Sequence, residues 1–171
     1  MAHFSKLDMY YLGQGTHYDI YKKLGAHPIT EKGKKGVYFA VWAPNAEKVS
    51  VIGTFNDWQT DADVMERLEP MGIYELFVPG ASVGDLYKFY IETPDGRQLY
   101  KADPYANYSE LRPGNASCVA DINAFKWSDG KWMEKRQTCK DVYSQPMAIY
   151  EVHPGSWMRH PGREDEGFYT Y

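Results

Sequence analysis

The chain has 171 residues, of which 43% are hydrophobic, 16% aromatic and 25% charged, and its formal net charge is −4. That length fits one domain, with or without a tail, and can bury a real core. The acidic balance argues against a general nucleic-acid binder, which needs a basic surface to displace counterions; no run of about 18 apolar residues is present to cross a membrane.

The N-terminus, "MAHFSKLDMYY", lacks the apolar stretch of a signal peptide. In "GTHYDIYKKLGAHP", Thr16 and Asp19 have capping-box spacing, and Ile20, Tyr21 and Leu24 share a helical face. Gly25 suits a C-terminal stop and Pro28 blocks continuation, so a short helix of about two turns is expected here. From Gly36 the period changes to two. In "VYFAVWAP" both parities are apolar, so this strand is expected to be covered on both faces.

"KVSVIGTF" follows a turn, with Val49 and Val51 on one face. "DADVMERLEPMG" is mixed, with a hairpin turn at Pro70–Gly72, and "IYELFVPG" alternates again. "DLYKFYIETPDGRQLYKADP" reads as strand, Pro-Asp-Gly turn and strand; "SCVADI" is a last short strand. Six or seven short strands at this spacing predict an antiparallel β-sandwich. The pattern fades from Trp127, where "WSDGKWMEKRQTCKDVYSQP" reads as a surface connection. "MAIYEVHPGSW" then predicts a new apolar strand at Met147 with no evident partner.

Catalytic chemistry finds little support. Asp57, Asp61 and Asp63 cluster near Trp58 and Asp103 follows a strand, but near neighbours in a turn do not make the spaced carboxylate pair of a glycosidase, and solvated turn acids are expected. His153, His160 and Glu164 match no metal-ligand spacing. No G-x-S-x-G or P-loop occurs, and Gly13–Gly15 has no strand before it, so no catalytic residue, metal or cofactor is expected. Cys118 and Cys139 make no disulfide framework and are read as reduced thiols, with a cytoplasmic location.

The aromatic residues carry more. An indole in a polar turn can stack on the C–H face of a sugar while amide and ammonium groups bond its hydroxyl edge. Trp58 in "GTFNDW", with Asn56 before it, suits that role. Tyr87, Phe89 and Ile91 share one parity and are expected in the core, which turns Lys88 outward as the nearby cation. The competing reading folds Trp58 back on the sandwich and leaves Lys88 in solvent.

Five stretches together resemble the N-terminal part of bacterial 1,4-α-glucan branching enzymes. They are "LGAH" (Leu24–His27), "VYFAVWAPNAEKVSVIGTFNDW" (Val37–Trp58), "YKFYIETPDG" (Tyr87–Gly96), "KADPYA" (Lys101–Ala106) and "YEVHPGSW" (Tyr150–Trp157). The resemblance implies an all-β fold: an immunoglobulin-like antiparallel β-sandwich, with a short N-terminal helix and a C-terminal tail carrying the first strand of a truncated (β/α)8 barrel. Its layout would be residues 1–30 as the N-terminal segment, 31–125 as the carbohydrate-binding sandwich, 126–145 as a linker and 146–171 as the start of the barrel. The family's catalytic groups lie in later barrel segments, so this chain is expected to be non-catalytic.

The implied partners are α-glucan (glycogen, amylopectin or maltooligosaccharides) and the catalytic barrel of the parent chain, with no nucleic acid and no membrane. The glycogen-binding region of the AMP-activated kinase β subunit is similar, and its sugar platform includes the tryptophan and lysine matching Trp58 and Lys88. A sensor of that kind is a less favoured reading, because it has no use for a barrel strand. The platform's second tryptophan is replaced by Leu99 and Tyr100, with Tyr100 the candidate substitute. A domain that packs on the barrel without sugar affinity is the alternative function.

Overall fold

A nine-residue helix, α1 (Lys6–Gln14), opens the fold. The computed structural model describes residues 3–139, 141, 143–144, 146–153, 155–162 and 167–168. Ser5 caps α1: the Asp8 amide donates to Ser5 Oγ at 3.1 Å, and the Ser5 amide donates back to the Asp8 carboxylate at 2.7 Å. This is the capping-box chemistry expected at Thr16 and Asp19, built one segment earlier. Thr16 caps no helix; its amide instead closes α1, donating to Tyr11 O at 3.0 Å. The predicted helix is a loop with one 3₁₀ turn, Ile20–Lys22, and Gly25 begins a strand.

Nine strands follow among the described residues: β1 (Gly25–Glu31), β2 (Lys34–Trp42), β3 (Lys48–Gly53), β4 (Glu66–Leu68), β5 (Ile73–Pro79), β6 (Leu86–Glu92), β7 (Gln98–Lys101), β8 (Tyr108–Ser109) and β9 (Ser117–Cys118). They form two antiparallel sheets. The first runs β1-β2-β5-β4; the second runs β3-β6-β9-β8, with β7 also paired to β6. The first sheet thus begins at Gly25, ahead of the expected boundary at 31.

Strand β2 is covered on both faces, as its double apolar pattern requires. Val37, Phe39 and Val41 point into the sandwich with Val49, Val51, Tyr74, Tyr87 and Phe89. Tyr38 and Ala40 face outward and are buried with Ile73, Leu24 and Phe4, with Met9 and Leu12 of α1 packed alongside. At about 25 cal/mol per Å² of apolar surface, a second buried layer of this size contributes several kcal/mol. It includes a buried polar pair: the Tyr38 hydroxyl donates to the Glu75 carboxylate at 2.7 Å. Burial, and then that carboxylate, push the Tyr38 phenol well above its usual range.

The two sheets are stitched together along one side only. Val51 N donates to Asp63 O at 3.0 Å and Met65 N to Val49 O at 2.9 Å, so residues 63–65 pair with β3 before the chain continues into β4 of the other sheet. Along the opposite side no backbone pairing joins β1 to β8 or β9 among the described residues.

Residues Met1–Lys126 form one unit and Trp127–Tyr171 another. The expected linker carries a helix, α2 (Gly130–Thr138), with no buried residue. The strand expected at Met147 is not formed: among the described residues, 146–153 are neither helix nor strand, and Ile149 and Tyr150 are 84% and 80% exposed. A strand needs a partner for its backbone groups, and none pairs with this segment among the described residues.

Asp8 ties the N-terminal segment together. Its carboxylate also meets His17 Nε2 at 3.0 Å and the Lys23 ammonium at 3.3 Å. Burial alone would raise this carboxyl, but the hydrogen bonds from Ser5 and His17 and the Lys23 charge outweigh it and hold it far below 3.8. A depressed folded-state value means stability present above 3.8 and lost as the pH falls below it. Asp8→Asn should therefore cost about 1–3 kcal/mol at pH 7, and its deficit against wild type should shrink as pH drops below 3.8. Urea denaturation of both proteins at pH 7 and at acid pH measures this; a deficit that persists at low pH would contradict the assignment.

Candidate functional site

The turn after β3 is built around one amide. Asn56 Oδ1 accepts from Gly53 N at 2.9 Å, while its Nδ2 donates to Val51 O at 3.0 Å and to Asp63 Oδ2 at 2.7 Å. Both amide hydrogens are used, so Asn56 shapes the turn and has no N–H left to donate to a sugar hydroxyl. Gly53 is required by close approach: a Cβ there would lie 2.2 Å from Leu86 O and 2.7 Å from the Phe55 ring.

The clamp ends in strain. Asp57 and Trp58 both adopt left-handed conformations, with φ of 53° and 59°. Each costs about 1–2 kcal/mol for a residue with a side chain. The Trp58 amide is held by Gly53 O at 3.0 Å, and its indole is 38% exposed. No hydrogen bond or ring contact engages that indole among the described residues. Strain of this kind persists where surrounding structure imposes it, and it gathers at functional sites.

Lys88 and Tyr100 share the outward face of the second sheet. Ile52 pairs with Lys88 and Gly53 with Tyr87, so the Trp58 turn leaves the sheet one residue beyond Lys88's partner. Tyr100 pairs with Tyr90, their rings 5.2 Å apart, and is 56% exposed. Leu99 pairs with Ile91 and takes the inward parity, so of the two candidates it is Tyr100 that lies on Lys88's face.

Asn115 is a residue that sequence reasoning missed: the Lys88 ammonium donates to its Oδ1, across 27 positions of sequence. A loop amide carries no local signal, and only the approach of that loop to β6 reveals the pair. The ammonium keeps further donors, so Lys88 is oriented without being exhausted.

The carboxylates disperse. Asp63 belongs to the Asn56 clamp, and Asp61 pairs with Lys48 at 2.6 Å. Asp103 is no solvated turn acid: it is buried, accepting from the Tyr87 hydroxyl at 2.6 Å and from Tyr105 N at 2.8 Å. Burial raises its carboxyl above the usual range, even with those hydrogen bonds opposing the shift. Three or more potential metal ligands do not gather anywhere among the described residues, and Glu164 lies outside them. No helix among them is long and apolar enough to cross a membrane.

Residues 23–106 match carbohydrate-binding module 48, the isoamylase N-terminal domain. Residues 23–106 are therefore a domain of that family, and the chain aligns with the N-terminal region of branching enzymes. It is 61% identical over 167 residues to the 1,4-alpha-glucan branching enzyme GlgB of Butyrivibrio fibrisolvens, covering 98% of this chain and 26% of that one. Against GlgB of Thermosynechococcus vestitus it is 50% identical over 158 residues, covering 92% and 20%. The chain thus spans about a quarter or less of the length of these relatives. A pullulanase from Paenibacillus barengoltzii, solved with maltotriose, shares the fold with a TM-score of 0.50 at 21% identity, over 66% of this chain and 16% of that one.

In this family 48 module Asn56 and Tyr100 should separate cleanly. Asn56→Ala removes three hydrogen bonds and should destabilise the fold by about 2–4 kcal/mol. Tyr100→Ala, at an exposed position, should change the melting temperature by less than about 2 °C. Thermal unfolding followed by circular dichroism tests the pair; equal effects would contradict the placement.

Proposed function

We propose that the chain is the non-catalytic, glycan-binding N-terminal module of a 1,4-α-glucan branching enzyme. In the parent, α-1,4-glucan chains would be transferred to form α-1,6 branches during glycogen synthesis, and this module would hold the polymer. The observation that carries the reading is Trp58, 38% exposed in a strained, clamped turn that follows Ile52 and Gly53, the strand partners of Lys88 and Tyr87. The indole would stack on a glucose ring, Lys88 with Asn115 would meet its hydroxyls, and Tyr100 would extend the aromatic surface. Ligands would be glycogen, amylopectin and maltooligosaccharides. Cys118 and Cys139 are unpaired, which suits a cytoplasmic location.

Affinity should be low. A stacked sugar face contributes about 1–2 kcal/mol, and each exposed hydrogen bond about 1 kcal/mol. After association costs the Kd falls at roughly 10⁻⁴ to 10⁻³ M. Useful retention comes from many sites on one polymer, or from tethering to a catalytic domain.

A second reading is favoured by the exposed apolar side chains of the other unit, including Tyr143, Ile149 and Tyr150. These suit packing against the parent's catalytic barrel, with residues from 146 supplying part of it, and with no sugar affinity of the module's own.

Electrophoresis of the chain through gels containing glycogen separates the two. Glycan binding predicts retardation that Trp58→Ala abolishes and Lys88→Ala weakens by roughly threefold to tenfold, with folds intact by circular dichroism. Equal migration of wild type with and without glycogen would favour the packing domain.

A further inference from the structure

The unstitched side of the sandwich leaves a furrow between β1 and the β8–β9 edge. One cavity in it, of about 400 Å³, is lined by Tyr21, His27, Pro28, Asn107, Asp121, Ile122 and Asn123, among others. A second, of about 490 Å³, shares Pro28 and Asp121 as walls and continues past Val83. Both lie within the first unit and involve none of Trp58, Lys88 and Tyr100. Volumes in this range are typical of small-molecule sites. The two edges are drawn together near Gly25, at φ 104°, where a Cβ would stand 2.9 Å from Tyr105 O.

The furrow's polar groups are only partly used. Neither Asn107 nor Asn123 makes a side-chain hydrogen bond among the described residues. Asp121 spends Oδ1 on the Asn123 amide at 2.9 Å and keeps its other oxygen. His27 Nε2 lies 2.9 Å from Leu24 O, so it donates there and leaves Nδ1 as an acceptor. Amides that donate and accept, beside a carboxylate and an imidazole acceptor, match hydroxyl groups, which do both.

Charge narrows the ligand further. The Lys22 ammonium is engaged by Asp19 at 2.9 Å and lies 5.6 Å from the Tyr21 ring centre, so its charge is spent locally. In the first cavity, with the Asp121 carboxylate in the wall, an anionic ligand is disfavoured; the wall of the second also carries Lys35. Tyr21 and Ile122, 51% and 62% exposed, supply apolar surface for C–H faces.

The geometry points to a second saccharide site in this furrow, taking a short α-1,4-glucan segment independently of the Trp58 turn. The choice of α-glucan rests on the function proposed above; the match to neutral polyhydroxylated ligands rests on the furrow. Two separate contacts on one module would let a single long chain, or two branches, engage it at once and raise retention without new affinity at either place.

Maltopentaose titrated into the 171-residue chain tests this, followed by calorimetry and by amide chemical shifts. Trp58→Ala should retain weak binding, with shifts confined to Tyr21, His27, Asn107 and residues 120–123. Adding Asn107→Ala and Asn123→Ala should weaken that residual binding by roughly fivefold or more. No residual binding in Trp58→Ala overturns the furrow site and leaves the Trp58 platform standing. Residual binding that ignores the asparagine changes overturns it as well. Binding untouched by Trp58→Ala but lost with the two asparagines upholds the furrow and sinks the platform.

Discussion

Strand β2 carries apolar side chains on both faces, and water must be kept from both. The inward face is satisfied by the second sheet and the outward face by the N-terminal segment, with Phe4, Leu24 and residues of α1 against Tyr38 and Ala40. The N-terminal segment is therefore part of the core rather than an appendage, and its polar contacts through Asp8, Lys23 and Glu75 hold that cover in place. One sheet is consumed by packing on both sides. The other buries Ser50, Ile52 and Tyr90 on its outward face too, but leaves Lys88 half-buried and Tyr100 exposed there.

The Trp58 turn shows how a short polar sequence becomes a rigid presenter. An amide side chain reaches the backbone at Gly53 and Val51 and the carboxylate of Asp63, and so ties the turn to the segment that stitches the sheets together. The same contacts hold two successive residues in left-handed backbone, at a cost the local hydrogen bonds offset. A side chain on a flexible loop would lose rotamer and backbone freedom on meeting a sugar; one already fixed loses less.

One-sided stitching has a second consequence. Residues 63–65 close one edge of the sandwich by pairing with β3. On the opposite side, glycine admits a neighbouring carbonyl at Gly25 and Tyr105. The furrow left there follows from the strand count and lengths rather than from any local motif: β8 and β9 have two residues each, too few to reach along the seven of β1.

Much of this was legible from the amino-acid sequence. Period-two alternation located β2, β3, β5 and β6, and for β6 also its inward residues, because side-chain direction in a strand alternates strictly. Turn chemistry placed the Pro70–Gly72 and Pro94–Gly96 reversals for an equally local reason. The capping box was present at Ser5 and Asp8 rather than at Thr16 and Asp19, where the Thr16 amide closes α1 instead. Tertiary structure alone decided what depends on partners distant in sequence. Register chose Tyr100 over Leu99, and the approach of a loop gave Lys88 its Asn115. The clamp on Val51 and Asp63 committed both amide hydrogens of Asn56 to the turn, and burial beside Tyr87 made Asp103 a staple instead of a surface acid. Each of these rests on groups brought together by the sheets, and no window of neighbouring residues contains that information.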